Sequence, residues 1–512
     1  MTLNPIAKAE RIFSIRPAPI VAFFILVFIV IFHVLSSPGP PKTLPLVNGT
    51  RLYKLTDILA RKRFFYNGRE LIKTGLAKAN VFGIVTENGY YVVLHPKFAE
   101  EIRDNPTLNP RKVFEDLMHK GIPGFEASAE FTREDGLFQH AVRTKLLKML
   151  WHVSTALSDE TTIALQAEWT DDPEWHNISP RDDIPTVAAQ VSSRVFLGDP
   201  ICRDPDWVRI AVNYARDVAQ AATELRLAPA GLRKLVAKFL PSCRRLRAHL
   251  RDAKKIVQSI VDDRQMAKQK AFREGKKPKQ YVDAIECFEE MAHGENYNPV
   301  HTQLTLTFVA IHTTSDMLTQ ALYDLVDREE LICALREEIK TILPQGWTKA
   351  TVNQLKLMDS VLKESQRLKP VAFVSMRRVT KKPLLLSDGT VIPEGTRLIV
   401  ASERQWDEAY HPNPEIFDPY RFIKLRETPG YKTSAQLAGT SPDNLSWGYG
   451  KHSCPGRFFA ANEVKVLLCH ILMKYDIKVV GEKPRVRAFG STLVADPYAT
   501  LAVRRRPEKE DI

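Results

Sequence analysis

The segment Trp447-Gly448-Tyr449-Gly450-Lys451-His452-Ser453-Cys454-Pro455-Gly456 decides how this 512-residue chain folds. Two glycines ahead of the cysteine admit a tight, close-approaching backbone, and Pro455 suits the first position of a helix. A helix is expected next, because Phe458, Ala461, Val464, Leu468, Ile471 and Leu472 recur at its period. Cys454 then sits at a helix N-terminus, where unpaired amides and the macrodipole favour a thiolate over a thiol. A lone cysteine is more often a small buried hydrophobe. The surrounding loop sets this one apart, since it presents the sulfur in the anionic form that metal ligation requires.

Hydrophobic residues make up 44% of the chain, enough for a sizeable core, and no internal repeat divides it after about residue 48. One large domain is therefore expected over 49–512. Its six cysteines, Cys202, Cys243, Cys287, Cys333, Cys454 and Cys469, show neither disulfide-like nor zinc-like spacing. The formal net charge of +13 raises nucleic acid as a partner. Yet the basic residues gather at Arg61-Lys62-Arg63, Arg244-Arg245, Lys254-Lys255, Lys276-Lys277 and Arg504-Arg505-Arg506 without a nucleic-acid module. No nucleic acid is expected; a basic face for anionic lipid or an acidic protein is.

Residues 18–36 read as a transmembrane anchor. Ile20 to Phe32 is uninterruptedly apolar, long for a signal-peptide core, and no Ala-x-Ala type of cleavage pattern follows. A short segment, 1–17, precedes the anchor, and Pro38-Gly39-Pro40-Pro41 makes 37–48 a stiff hinge in which no helix forms. More Lys and Arg follow the span than precede it, which orients a single-pass protein with its main domain in the cytosol. The sequons at Asn48, Asn177 and Asn444 then stay unmodified.

The opening segment resembles the haem-binding loop of the cytochrome P-450 family, Phe-x-x-Gly-x-Arg-x-Cys-x-Gly. Trp447 stands in the Phe position and keeps a flat ring; His452 replaces the Arg that meets a haem propionate, keeping an N–H donor without the permanent charge. The resemblance implies a mainly α fold with a smaller β region, making 49–512 a catalytic domain that holds haem b through Cys454.

Two further stretches carry the resemblance. In Glu364-Ser365-Gln366-Arg367, Glu364 shares an apolar helical stripe with Leu357, Val361 and Leu368, so its carboxylate needs a cation, and Arg367 is one turn away. Phe417-Asp418-Pro419-Tyr420-Arg421-Phe422 is similar to the segment whose Arg completes a Glu-Arg-Arg triad behind the haem, a role that falls to Arg421. Ala310-Ile311-His312-Thr313-Thr314-Ser315, inside a helical stretch from Thr302 to Val326, resembles the family's central helix. There Thr313 is the oxygen-side threonine that passes protons, small Ala310 leaves room, and His312 replaces the usual acid. His312 serves either as a proton relay or as a structural ring turned away.

The family's propionate contacts map to Arg378, with Arg377 competing, and to Arg143 in Gln139-His140-Ala141-Val142-Arg143. The first of these positions carries Gln139 instead of Trp, and His140 is an alternative contact. Ile122, Phe125, Ala310, Phe373 and Leu493 are expected to line an apolar substrate pocket.

The chain is accordingly identified as a member of this family that inserts one oxygen atom of O2 into an apolar small molecule. Its wording is similar to fungal enzymes of specialised metabolism, terpenoid oxidases such as ent-kaurene oxidases. No dinucleotide fingerprint or flavin module is present. Electrons are thus expected from NADPH-cytochrome P-450 reductase on the endoplasmic reticulum membrane, with cytochrome b5 as a second candidate donor, docking near Lys451 and Arg457. The rival readings keep Cys454: a haem-thiolate isomerase or dehydratase that uses no O2, and a non-catalytic haem sensor.

Overall fold

The computed structural model describes residues 43–49, 57–228, 230–294 and 297–507. The expected anchor at 18–36 and the segment before it lie outside the described residues, as does the hinge before residue 43. Among the described residues no helix is long and apolar enough to cross a membrane.

The fold is mainly helical. Its long helices are α1 (Asp57–Leu76), α2 (Leu147–Trp169), α3 (Pro180–Phe196), α4 (Pro205–Leu227), α5 (Pro241–Arg273), α6 (Pro299–Leu325), α7 (Lys356–Leu368) and α8 (Arg457–Lys474). Four of them, α3 to α6, begin on a proline, whose missing N–H costs nothing in the first turn. Asp204 caps α4 by accepting from the amides of Asp206 and Trp207, and Asn298 caps α6 by accepting from that of His301. Helix α6 runs through the middle, against α3, α4, α5, α7 and α8. Its near-continuous burial on several sides is what a helix without a polar face implies.

The β part is a six-stranded sheet, with strands β1 (Leu46–Val47), β2 (Val81–Thr86), β3 (Gly89–Leu94), β4 (Leu108–Asn109), β6 (Val374–Thr380) and β9 (Arg397–Ala401) in the order β1-β2-β3-β9-β6-β4. A three-stranded sheet joins β5 (His176–Ile178), β10 (Tyr475–Val480) and β13 (Thr500–Arg505), and two hairpins pair β7 (Leu384–Leu385) with β8 (Val391–Ile392) and β11 (Arg487–Phe489) with β12 (Thr492–Val494). Strand β6 carries a bulge between Ser375 and Arg378, with Met376 at φ +49.

Helix α7 is unusual in burying charge along most of its length. Asp359 pairs with Arg426 and Lys465, and Lys363 Nζ donates to the carbonyls of Gln436 (2.7 Å) and Gly439 (3.0 Å). Burial pushes the Lys363 amine down to about 7. These contacts fasten the irregular chain leading into the Cys454 loop onto a rigid helix.

Glu463 on α8 is fully buried; one carboxyl oxygen accepts from Ser192 on α3 and the other has no partner among the described residues. Burial pushes it up to about 8. The folded state therefore keeps a proton that the unfolded chain releases near pH 4.5, and stability falls as pH rises through that window, by roughly 1.4 kcal/mol per unit. Glu463→Gln keeps the Ser192 acceptor and removes the penalty. Its melting-temperature advantage over the unsubstituted protein is expected to widen from about pH 6 to about pH 8.5.

Candidate active site

Gly448 (φ +71) and Gly450 (φ +76) turn the chain ahead of the cysteine, and a Cβ at Gly450 would meet Arg103 Cβ at 2.7 Å and Asp104 Oδ1 at 2.8 Å. Glycine is required there both by its dihedral and by that approach. Asp104 Oδ1 accepts from the Lys451 amide (2.7 Å), and the Tyr449 hydroxyl donates to Glu100 (2.6 Å) while accepting from Arg103 (2.8 Å). Ser375 Oγ on β6 donates to the Leu445 carbonyl at 3.0 Å. Trp447 Nε1 donates to Leu437 O (2.7 Å), and the Cys454 amide donates to Trp447 O (2.7 Å). The loop is thus pinned from several sides.

Cys454 lies just before α8, with Gly456 as the cap residue. The amides of Gly456 and Arg457 donate toward its sulfur, and Arg457 and Arg143 lie near; all favour the thiolate and oppose the burial that pushes the thiol up. Arg143 Nη2 donates to Lys451 O (2.6 Å) and Ser453 O (3.1 Å). Arg457, expected on a docking face, is half-buried beside the loop. Its guanidinium is spent on Ala438 O (3.1 Å) and Cys454 O (2.9 Å), carbonyls otherwise left open beside the start of α8. Lys451 remains exposed.

Beside the cysteine loop is a group of cations. As neighbours in β6 the two arginines face opposite sides: Arg377 reaches Ser491 Oγ (2.9 Å), while Arg378 is buried and, among the described residues, donates to the neighbouring carbonyl of Arg377 (2.9 Å). Arg378 forms no ion pair among the described residues, and burial pushes it down to about 10. His452 is pushed down to about 4 by burial, then by Arg378, Lys451 and Arg143. A buried guanidinium without an anion is costly, and a pair of carboxylates entering here would relieve Arg378 and accept an N–H from the neutral His452 ring. The propionates of haem fit that requirement. Gln139, by contrast, donates to Phe131 O (2.6 Å) within its own segment.

Glu364 is gripped from two sides in a fully buried position. Arg367 makes two parallel bonds to it, both 2.8 Å, and Arg421 Nε lies 3.1 and 3.2 Å from its two oxygens. Arg421 also donates to the carbonyls of Pro412 (2.7 Å), Asn413 (3.3 Å) and Ile416 (3.2 Å), and Arg367 to that of Gln405. The three side chains therefore lock α7 to the chain from 405 to 421. His411, buried nearby, is pushed down to about 3 by burial and by Arg367, Arg421 and Lys363, so its ring is neutral.

On α6, Thr313 is exposed within the fold and its hydroxyl donates to Val309 O (3.0 Å) and Ala310 O (3.3 Å), the common resting bond of a mid-helix threonine. His312 points elsewhere, its Nε2 2.9 Å from Val212 O on α4. The expected pocket residues fall into separate packed groups. Ile122 and Phe125 belong with α4 and α5, Phe373 and Leu493 with the sheet, and Ala310 edges the central helical core. Asp316, one turn beyond Thr313, accepts from the Ala495 amide (2.8 Å) and so fastens the chain after β12, which carries Leu493; burial pushes it up to about 6.

Sequence reasoning did not single out Asp104, Arg103, Asp316 or Gln405. Tyr449 lies inside the motif and Arg457 directly follows it, both within reach of the sequence. The others act across 38 residues, as Gln405 does with Arg367, or across more than a hundred, separations that periodicity does not register.

A family described as Cytochrome P-450 matches residues 139–501. The chain is 46% identical to the cytochrome P-450 monooxygenase adrA of Penicillium rubens over 474 residues, 91% of this chain and 92% of that protein. It is also 46% identical to trt6 of Aspergillus terreus (88% of this chain, 92% of that one) and 42% identical to esdpI of Penicillium shearii (97% of each), both named cytochrome P-450 monooxygenases.

Proposed function

The chain belongs to the cytochrome P-450 family, and from that premise we propose that Cys454 supplies the thiolate that would hold haem iron in a monooxygenase acting on an apolar, terpenoid-type small molecule. Kinship supplies the coarser statement: the chain is an oxygen-incorporating oxidoreductase of secondary metabolism, and family members bind haem iron through a cysteine thiolate. The assignment of Cys454 rests on one arrangement, a sulfur under two backbone amides beside the guanidinium groups of Arg378 and Arg143, with His452 a neutral ring able to donate an N–H.

Haem bound there supplies dioxygen activation, promoted by electron donation from a thiolate ligand. The chain's own residues do the rest. Arg378, His452 and Arg143 would hold the propionates, and Trp447 lays a flat ring beside the loop. The Glu364, Arg367 and Arg421 cluster keeps the segment behind it rigid. Ile122, Phe125, Ala310, Phe373 and Leu493, from three packed groups, would exclude water and orient the substrate. Thr313 releases its bond to Val309 O and turns its hydroxyl into the cavity to pass protons.

Electrons come from NADPH through a flavoprotein reductase that meets the face bearing exposed Lys451, on the cytosolic side of the endoplasmic reticulum membrane. The test is incorporation of oxygen-18. Terpenoids incubated with the protein, reductase, NADPH and labelled dioxygen should yield product carrying one labelled atom; product formed without dioxygen would contradict the reading. Thr313→Ala should lower product formation by about 10²-fold while NADPH oxidation continues and peroxide accumulates, with Thr313→Ser largely restoring product.

A further inference from the structure

Helix α4 is tied to α5 through Asp217, which pairs with Arg245 (2.8 Å) and His249 (2.9 Å), and to α3 through Trp207 Nε1, which donates to Ser193 Oγ (2.8 Å), but where it lies across α6 its contacts are mostly apolar and non-directional, with Ile210, Ala211, Tyr214, Val218 and Ala221 buried. Such contacts permit a helix to slide. Two histidines from different parts of the chain supply fixed points. His312 Nε2 lies 2.9 Å from Val212 O, and His119 Nε2 lies 2.9 Å from Ala222 O, ten positions or about 15 Å further along the same helix. A carbonyl only accepts, so each ring carries its proton on Nε2. Burial lowers both rings' affinity for a second proton, so both are neutral donors.

The two grips join at α6. His119 sits at φ +48, edge-on to Phe125 with ring centroids 5.8 Å apart, and Thr305 of α6 donates to Ala127 O just beyond. The segment 119–127, helix α4 and helix α6 therefore form a closed triangle of directional bonds around Ile122, Phe125 and the helix face carrying Thr313. We propose that His312 and His119 are positioning residues that clasp α4 to α6 and to the 119–127 segment, so that a ligand entering beside Thr313 passes only when a clasp opens. The proposal rests on the reading of that space as the substrate site. It assigns His312 to holding the helix rather than to proton relay.

The full-length, haem-loaded protein is compared with His312→Leu, His119→Leu, His312→Gln and His119→Gln by amide hydrogen exchange over residues 205–227. Clotrimazole, a bulky azole followed by its spectral change, and carbon monoxide, a small ligand, serve as probes of entry. Each Leu variant should exchange α4 amides roughly tenfold faster, about what one lost buried hydrogen bond yields, and should release clotrimazole several-fold faster with carbon monoxide binding unchanged. Each Gln variant keeps an N–H donor at similar reach and should resemble the parent. Leu variants with parental exchange and release would overturn the proposal, as would Gln variants that exchange as fast as Leu variants, and the Gln comparison stands if a Leu variant fails to load haem. A His312→Leu protein that leaks peroxide with unchanged exchange would instead return the ring to proton relay. Failure of the parent to bind carbon monoxide at all would sink the haem reading, while the exchange comparison would still decide the clasp.

Discussion

Glu364→Ala is expected to give no stable haem-loaded protein, and any soluble fraction should melt far below the parent. The carboxylate is fully buried and receives two bonds from Arg367, one guanidinium nitrogen of Arg421 and the amide of Asp418. Removing it leaves two guanidinium groups facing each other without an anion, and breaking a buried pair in this way costs about 3–5 kcal/mol. Typical domains hold only about 5–15 kcal/mol in total. The loss also falls where the fold can least absorb it, since Arg421 and Arg367 tether the chain around residues 405–416 through backbone carbonyls. Arg367→Ala should behave similarly. Far-UV circular dichroism and thermal melting of Glu364→Ala check the prediction; a shift equivalent to less than about 1 kcal/mol, the worth of a surface pair, would refute it.

Cys454→Ala should abolish turnover and leave the fold. The loop does not depend on the sulfur for its shape. Asp104 holds the Lys451 amide, Arg143 holds the carbonyls of Lys451 and Ser453, and Arg457 holds that of Cys454, all through groups the substitution keeps. What is lost is the anion under the Gly456 and Arg457 amides. The haem-free variant should therefore melt close to the haem-free parent, while product formation falls to background. Residual product above background would show that another group carries the chemistry.

How much was legible in the sequence differs from residue to residue for physical reasons. Cys454, its glycines and the following helix were readable because dihedral demands and helical period are local. Glu364 and Arg367 were readable as a pair because one helical turn joins them, whereas Arg421 entered through family resemblance, its contact spanning 57 residues. Arg377 and Arg378 compete in the sequence; as strand neighbours they face opposite sides, and which side meets the cysteine loop depends on the register shift between Ser375 and Arg378, a feature that composition does not encode. His312 stood between two roles for a similar reason: its partner is a backbone carbonyl a hundred residues away, and a carbonyl leaves no mark in sequence. Arg457 shows the opposite limit. Its position beside the cysteine suggests a docking charge, and its bonds to the carbonyls of Ala438 and Cys454 are a second role that the sequence does not show. The apolar pocket residues were hardest to read, because wall and core use the same side chains.

The carbon monoxide difference spectrum of the reduced, haem-loaded protein tests the central claim most directly. Ligation by Cys454 predicts the strongly red-shifted band of a thiolate-bound carbonyl complex; a band at the position typical of a histidine-ligated haem, in folded protein, would contradict it.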